Sequence, residues 1–320
     1  KIKTYMHQKP FHLALTLSAV FLGAYVLLGF LTNMVSLEPG MTVGGLSRWC
    51  ERVSDGIFRE PVNALSNLGF MFAGLCMFFV LTKDGEKPQH SNQFHGLTPI
   101  AKLYAGAALF LGPGSMLMHG THTYWGQWID NVSMVVYITL PWLINVSAMG
   151  RWSEQQFFKT YTLVIVSFAG LSWFFGSSLG IGFDLFGTSI ALWIISETLF
   201  RFWSPVFRWV SGFIGFLVAA VFGILPQEIF TNLIEYWWII LFWLPATLSP
   251  NHPMKKRNYS PWFFMGMFSY MSAFIIWLQG VPDTPYCQPD SLIQPHGIWH
   301  ILSAFSTWCF FKFLRTEKNI

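Results

Sequence analysis

The sequence predicts an all-α protein, a bundle of membrane-spanning helices, and three observations lead to this prediction. Only 11% of the 320 residues are charged, whereas soluble domains carry about 25%. Apolar runs about 20 residues long, the length at which a helix crosses the hydrocarbon core, recur along the whole chain. Lys and Arg collect on one side of the spans that these runs define. No nucleic-acid motif and no Gly-rich phosphate loop is present, so nucleic acid is not an expected partner.

The apolar runs give about ten candidate spans. A basic N-terminus precedes the first run, and a polar segment at 37–62 separates it from the second. Short links within 160–249 leave room there for re-entrant segments. The ten runs lie at 12–35, 63–82, 101–120, 127–148, 160–177, 181–200, 207–225, 232–249, 261–280 and 295–314.

The distribution of positive charge predicts the orientation. With ten spans, the side that holds Lys1 receives all but three of the 19 Lys and Arg residues. The three exceptions, Arg48, Arg52 and Arg59, all lie in the 37–62 segment. Because cytoplasmic loops are enriched in Lys and Arg, the first side is predicted to be cytoplasmic, and with an even number of spans both termini lie there.

Two groups of polar residues fall within or beside the apolar runs. Ser115 and His119 are four residues apart, so they share one face of a helix, and Asp130 follows after a short aromatic turn. His296 and His300 repeat the four-residue spacing near the C-terminus. The predicted topology places all five at the exoplasmic ends of their spans. Ionisable residues at membrane depth are costly, which makes them candidates for function.

These residue types suit a catalytic zinc site. Zinc binds imidazole nitrogen and keeps a fourth position for water in catalytic sites, so His119, His296 and His300 are predicted ligands. Zinc lowers the pKa of its bound water to about 7. Asp130 could accept the proton, and the Ser115 hydroxyl could donate to an oxyanion, which together describe metal-assisted hydrolysis of an amide or ester. For each histidine alone, an interfacial side chain bonded to a backbone carbonyl is the simpler interpretation.

Two further groups leave alternatives open. His122, three residues after His119, is a rival ligand, although an interfacial residue in the aromatic turn is the favoured interpretation. In the 37–62 segment, oxygen atoms of Glu51, Asp55, Glu60 and Asn63 could bind calcium. An exposed acidic loop balanced by nearby arginines explains them equally well.

Cysteine positions agree with the predicted topology. Cys50 and Cys287 both fall in exoplasmic segments, where an oxidising compartment allows a disulfide between them. Cys76 and Cys309 lie inside predicted spans and are expected to be buried thiols.

The sequence resembles the alkaline ceramidase family, seven-span integral membrane amidases within a wider superfamily of zinc hydrolases and receptors. Three short blocks carry the resemblance, and their order and spacing make the combination specific. The region 150–280 matches only in its apolar character. The blocks are Trp49-Cys50-Glu51 with Glu60-x-x-Asn63-x-x-Ser66-Asn67, Gly114-Ser115-x-x-x-His119 with Asp130, and His296-x-x-Trp299-His300.

The resemblance implies zinc on His119, His296 and His300, with Ser115 and Asp130 at the catalytic water. It implies a seven-span core, to which this chain adds an N-terminal span and one extra pair. Residues 1–36 would then form a cytoplasmic N-terminus with the extra helix, and residues 37–320 would form the ceramidase-like hydrolase domain.

The resemblance also implies a Cys50–Cys287 disulfide and a calcium site that uses the Trp49 carbonyl, Glu51 and Glu60. This sequence departs from the family at that site. Arg48 stands where the family often has an acid, and the spacing from Glu51 to Glu60 is shorter than in the animal enzymes.

The expected function is therefore a zinc-dependent membrane amidase that hydrolyses ceramide, or a related N-acyl lipid, to a long-chain base and a fatty acid. A zinc-containing receptor or lipid-binding protein without turnover is the alternative from another class. A transporter is disfavoured, because the polar residues cluster at one face and transporter sites usually lie near the midplane.

Overall fold

A computed structural model describes residues 2–31, 42–85, 92–176, 178–182 and 184–320, with side chains from residue 9 onward in the first range. Nearly all of the regular secondary structure in these residues is helix, which confirms the predicted all-α class. The helices are α1 (Ile2–Leu31), α2 (Pro61–Ser66), α3 (Leu68–Asp84), α4 (Pro99–Thr121), α5 (Tyr124–Gly150), α6 (Glu154–Phe175), α7 (Leu185–Phe202), α8 (Pro205–Val210), α9 (Ile214–Val221), α10 (Pro226–Thr231), α11 (Leu244–Leu248), α12 (Trp262–Leu278) and α13 (Pro295–Leu314). Two 3₁₀ segments lie at Ser211–Phe213 and Trp237–Trp243, and two-residue strands β1 (Lys255–Lys256) and β2 (Lys318–Asn319) form a small sheet.

Six helical stretches among the described residues are long and apolar enough to cross a membrane, so the chain is a membrane protein by composition and length. All ten predicted runs contain helix. Three of the helical stretches, 205–221, 237–248 and 262–278, are shorter than the six, and α13 at the tenth run is not among the six. The count of ten spans therefore stays a prediction. The six are Lys9–Leu31, Pro61–Asp84, Pro99–Thr121, Tyr124–Gly150, Glu154–Phe175 and Leu185–Phe202.

The chain forms two compact units. Unit 1 is built from the described residues of Lys1–Ser133 and Arg257–Lys318, and unit 2 from those of Met134–Lys256 and Asn319–Ile320. Within unit 1, α13 packs against α12 and α3, α3 packs against α4 and α1, and the short α2 contacts both α4 and α13. The predicted domain boundary between residues 36 and 37 separates the N-terminal span from the rest of the chain. It differs from the division into these two units, and it stays a prediction.

Local sequence determines where the helices of unit 1 begin and end. Thr98 caps α4, because its hydroxyl accepts a hydrogen bond from the Ala101 N–H (3.1 Å), and Pro99 follows at the first helical position. The helix ends at Thr121, and the next residue, His122, adopts a left-handed conformation with φ 49°. Pro295 occupies the first turn of α13. The C-terminal end of α4 and the N-terminal ends of α2 and α13 carry the polar residues that the sequence singles out.

The segment before α2 is fixed to the segment before α13. A disulfide joins Cys50 to Cys287, as predicted. Beside it, the Arg52 N–H donates to the Pro289 carbonyl oxygen (3.0 Å), and the Arg52 side chain pairs with Asp290 (2.6 Å). Of the other two cysteines, Cys309 is a buried free thiol as predicted, whereas Cys76 is half-buried.

Unit 2 has its own apolar core, built where α7 packs against α9 and the 3₁₀ segment at Trp237–Trp243. Trp238 and Phe242 from that segment are fully buried against Ile195 of α7. A buried polar cluster lies elsewhere in this unit, where the Asn145 side-chain amide donates to Ser196 (3.1 Å) and to Glu197 (3.0 Å).

Candidate metal centre

Three buried histidines of unit 1 converge. His119 comes from the last turn of α4, and His296 and His300 come from the first two turns of α13. Their side chains are 1%, 5% and 3% exposed, respectively. One ring nitrogen from each lies within 4.8 Å of the others, and the Nε2 atoms of His119 and His296 are 3.1 Å apart. The structure thus brings together the three predicted ligands, and their binding of a metal stays a prediction.

The surroundings of two rings determine which ring nitrogen carries the proton. Nδ1 of His119 contacts the Glu60 carboxylate. Nδ1 of His300 faces the Asn63 carbonyl oxygen (3.1 Å) and the Ser66 hydroxyl (2.8 Å), and that hydroxyl already donates to the same carbonyl (2.7 Å). Both Nδ1 atoms therefore face acceptors and must donate, which leaves each Nε2 unprotonated in the neutral ring.

The third ring is held by stacking. The indole of Trp49 lies over His296, with ring centroids 4.3 Å apart and planes 23° from parallel. Nδ1 of His296 is buried and has no hydrogen-bond partner among the residues that the structure describes. The side chain of Trp49 thus has a role that the sequence did not suggest, because it orients a candidate ligand.

This arrangement fits a tetrahedral metal. Zn–N bonds of about 2.0–2.1 Å at tetrahedral angles place neighbouring nitrogens roughly 3.3 Å apart, close to the 3.1 Å between His119 and His296. Nε2 of His119 is unprotonated, so the short distance to Nε2 of His296 requires either a cation between the two rings or a proton on His296. A carboxylate on the far nitrogen of His119 is the second-shell partner that metal-bound histidines usually have. The donor set therefore suits zinc.

Ser115 and Asp130 lie beside the histidines. The Ser115 Oγ is 3.4 Å from Nε2 of His300, and the Ser115 hydroxyl forms a hydrogen bond with Asp130. The contact depends on Gly114, because a Cβ there would lie 2.5 Å from the Ser133 Cβ of α5 and would clash with it. Both predicted catalytic residues are thus placed within reach of the candidate metal, and their catalytic roles stay predictions.

Glu60 binds two histidines, which the sequence did not reveal. Its side chain is completely buried, contacts Nδ1 of His119, lies 2.9 Å from Nε2 of His122 and accepts from the Asn63 amide (3.1 Å). Burial alone would raise the pKa of the Glu60 carboxyl, but the two histidines hold it well below its usual range. Glu60 is thus an anion built into the site.

The interpretation of His122 as an interfacial residue is wrong. Its side chain is fully buried, because the left-handed turn that ends α4 points it back toward Glu60. It is also outside the cluster formed by His119, His296 and His300.

The predicted calcium site receives no support from the described residues. Both carboxylate oxygens of Glu51 accept backbone N–H groups at the start of α2, from Val62 (2.7 Å) and Asn63 (2.8 Å). Burial raises the pKa of the Glu51 carboxyl. Glu60 is engaged by the histidines, and Asp55 is exposed to solvent. Glu51 therefore caps the start of α2, and Glu60 is the partner of two histidines.

Arg48 supplies positive charge at the edge of the same site. Its guanidinium lies over the Trp49 ring, 5.2 Å from the centroid, and 3.8 Å from the Met118 sulfur. It is exposed, and its charge acts on both Asp130 and His296. A cation here is consistent with the lack of support for calcium, since it already balances nearby negative charge.

The sequence could have revealed part of what was missed. Asn63 and Ser66 are one turn apart in α2, so they present a carbonyl and a hydroxyl to the same neighbour, which is His300. No sequence pattern indicated that Trp49 would stack on His296, since that contact joins residues 247 positions apart whose proximity only the fold determines.

Comparison with known proteins agrees with this geometry. The family model described as Ceramidase matches residues 46–319, which include all the residues of the candidate metal centre. A search of curated proteins finds no match.

Proposed function

Because the chain belongs to the Ceramidase family, it is a hydrolase of the amide bond of ceramide, and we propose that it acts as a zinc-dependent integral membrane amidase. One observation carries the zinc proposal. Three buried histidines direct ring nitrogens to a common point, and two of these nitrogens are forced by their hydrogen-bond partners to face it unprotonated. Such a donor set stabilises a bound cation and little else.

His119, His296 and His300 hold the metal in this proposal. Zinc would supply a Lewis acid for the amide carbonyl and lower the pKa of a bound water to about 7. Glu60 fixes the ring of His119 and raises its basicity, as second-shell carboxylates do. Asn63 and Ser66 fix the ring of His300 in the same way.

Ser115 and Asp130 carry the proton transfers and charge stabilisation. Asp130 accepts a proton from the attacking water and delivers it to the nitrogen of the leaving amine. The Ser115 hydroxyl donates a hydrogen bond to the oxyanion that forms on the former carbonyl. Cleavage of the C–N bond then releases a fatty acid and a long-chain base, and one water molecule is consumed.

The proposed orientation puts the site near the exoplasmic face and both termini in the cytoplasm. The support is the uneven distribution of Lys and Arg, together with the disulfide between Cys50 and Cys287, which requires an oxidising compartment. Ceramide or a related N-acyl lipid would then reach the site from the exoplasmic leaflet.

Fatty-acid release from a short-chain ceramide tests the proposal. The purified protein is stripped with a chelator and assayed before and after zinc is added, beside the His296→Ala variant. His252→Ala is the matched control, because His252 lies in unit 2, where its Nδ1 faces the Pro253 carbonyl oxygen (2.7 Å) and its ring contacts Trp203. We expect wild type and control to regain release with zinc and His296→Ala to remain inactive. Full activity in the stripped protein, or in His296→Ala, would contradict the proposal.

A further inference from the structure

The N-terminal helix α1 precedes the segment that the family model matches, yet one of its side chains reaches the surroundings of the metal centre. The match begins at residue 46, and α1 ends at Leu31. An added apolar helix could serve only as an anchor. The contacts of Tyr25 indicate a more specific role.

One stripe of α1 is buried, and the rest is exposed. Ala14, Ser18 and Tyr25 are buried at spacings of four and seven residues, which lie on one helical face. The α1 helix packs against α3, where Phe11 contacts Phe79. The exposed apolar residues, among them Leu17 and Leu27, suit contact with lipid. Helix α1 is therefore docked on unit 1.

Tyr25 is the polar member of the stripe that contacts the segment before α2. Its side chain is 4% exposed, and its hydroxyl donates to the Ile57 carbonyl oxygen at 2.8 Å. Its ring stacks on Phe58, with centroids 4.8 Å apart and planes 12° from parallel. Gly29, one turn further along α1, leaves room for Ile57, since a Cβ there would lie 3.0 Å from the Ile57 Cβ. Two adjacent residues are thus fixed by α1.

The next two residues of the chain attach directly to the metal centre. The Arg59 N–H donates to the Gly120 carbonyl oxygen (2.9 Å), and the Glu60 N–H donates to the His119 carbonyl oxygen (2.9 Å). Tyr25 also packs closely against the last turn of α4, because a Cβ at Gly120 would lie 2.9 Å from the Tyr25 Cζ. Residues 57–60 therefore form a short bridge from α1 to the Glu60 carboxylate and His119.

We propose that Tyr25 is a positioning residue for the metal centre, acting through residues 57–60 to hold the Glu60 carboxylate against Nδ1 of His119. This inference rests on the proposed zinc function. It means that helix α1 contributes to the affinity of the centre for zinc. The Tyr25 side chain is buried, which shields its hydrogen bond from water on that side, so loss of the hydroxyl frees the Ile57 carbonyl and loosens the bridge.

Zinc affinity of the full chain in detergent tests the inference, measured by competition with a chelating dye. Tyr25→Phe removes the hydroxyl and keeps the ring. We expect the Kd for zinc to rise about 3- to 10-fold, the range of a single hydrogen bond. Tyr161→Phe is the matched control, because the Tyr161 hydroxyl also donates to a backbone carbonyl, that of Val136 (2.9 Å), within unit 2. The control should bind zinc as wild type does.

A double-mutant cycle separates positioning from general stability. If Tyr25 acts through Glu60, then Tyr25→Phe should raise the Kd in the wild-type background and leave it unchanged in the Glu60→Gln background. A loss of stability alone would lower affinity to the same extent in both backgrounds.

The outcomes distinguish this inference from the proposed function. Zinc binding by wild type together with unaltered binding by Tyr25→Phe overturns the positioning role and leaves the zinc hydrolase intact. An equal rise in the zinc Kd on Tyr25→Phe in the wild-type and Glu60→Gln backgrounds also overturns the positioning role. Helix α1 would then serve only as an anchor. Absence of zinc binding in wild type overturns the proposed function, and the inference with it.

Discussion

Two buried polar clusters lie in the apolar helices of this protein, and they differ in whether their own groups satisfy one another. In unit 2, the Asn145 amide donates to the acceptors Ser196 and Glu197. In unit 1, Nε2 of His119 faces Nε2 of His296 at 3.1 Å, while Nδ1 of His119 is committed to Glu60. The first cluster pairs donors with acceptors, whereas the second brings the unprotonated Nε2 atoms of His119 and His300 close to a third imidazole.

The difference teaches how to separate a structural polar cluster from a binding site. Buried polar groups normally pair, because an unpaired one costs about 1–3 kcal/mol. A cluster that pairs internally contributes to packing and stability. A cluster whose lone pairs converge is complete only when a cation occupies it, and its arrangement is a reason to expect function.

The largest contrast is expected between Asp130→Asn or Ser115→Ala and Ser196→Ala. The first two changes should lower turnover of a short-chain ceramide by about 10²–10³-fold, because a proton acceptor or an oxyanion donor is lost. Ser196→Ala removes only a neutral hydrogen bond and should leave turnover unchanged. Steady-state release of fatty acid at equal zinc content measures all three. An equal loss of turnover in Ser196→Ala would contradict the distinction between a catalytic cluster in unit 1 and a structural cluster in unit 2.

A smaller contrast is expected between Glu60→Gln and Glu197→Gln. Glu60→Gln should lower zinc affinity about 10- to 100-fold, the usual effect of losing a second-shell carboxylate. Excess zinc should restore part of the activity. Glu197→Gln should leave zinc affinity unchanged. A chelator titration followed by metal analysis checks both, and zinc affinity that depends on Glu197 would show that the second cluster is not merely structural.

The disulfide gives a contrast in stability. Replacing Cys50 and Cys287 together by Ser should destabilise unit 1 by about 2–5 kcal/mol, because the denatured chain is no longer cross-linked. Cys76→Ser, at a half-buried free thiol, is the control and should have a smaller effect. The midpoint of thermal unfolding followed by intrinsic fluorescence measures the difference. An unchanged midpoint in the double variant would mean that the other contacts of the 46–60 segment suffice.

The smallest effect concerns pH and the exposed pair Arg52–Asp290. A hydrogen bond from Arg52 holds the pKa of the Asp290 carboxyl below its usual value. The folded state therefore gains stability above the unfolded pKa of about 3.9, and the gain is lost as the pH falls through the lower, folded value. Asp290→Asn should unfold slightly earlier than wild type at neutral pH, and the gap should close in acid and shrink in high salt. If the difference in stability between wild type and Asp290→Asn widened in acid, the predicted direction of the pH dependence would be wrong.

Much of the candidate site followed from the sequence because its spacing is local. The pairs Ser115 with His119 and His296 with His300 each share a helical face, and this follows from their four-residue spacing alone. Cysteine placement likewise predicted the Cys50–Cys287 bridge, which the structure contains. The orientation in the membrane and the count of ten spans stay predictions.

The rest of the site depends on contacts between distant segments. From its residue type, Glu60 is either a calcium ligand or part of an exposed acidic loop, and the family resemblance implies calcium. Its partners are in fact His119 and His122, which the left-handed end of α4 turns toward it. The contact between Tyr25 and Ile57 joins α1 to the site across 32 residues, and the sequence carries no periodicity that specifies it.

The metal content of the purified protein tests the central claim most directly. Wild type, His252→Ala and His296→Ala are loaded with zinc, freed of unbound metal and analysed by elemental mass spectrometry against protein concentration. We expect about one zinc per chain in wild type and in His252→Ala, because three nitrogens suffice for a tetrahedral site with one open position. His296→Ala should retain little or none. Wild type without zinc, or His296→Ala with a full equivalent, would contradict a metal centre formed by the three converging histidines.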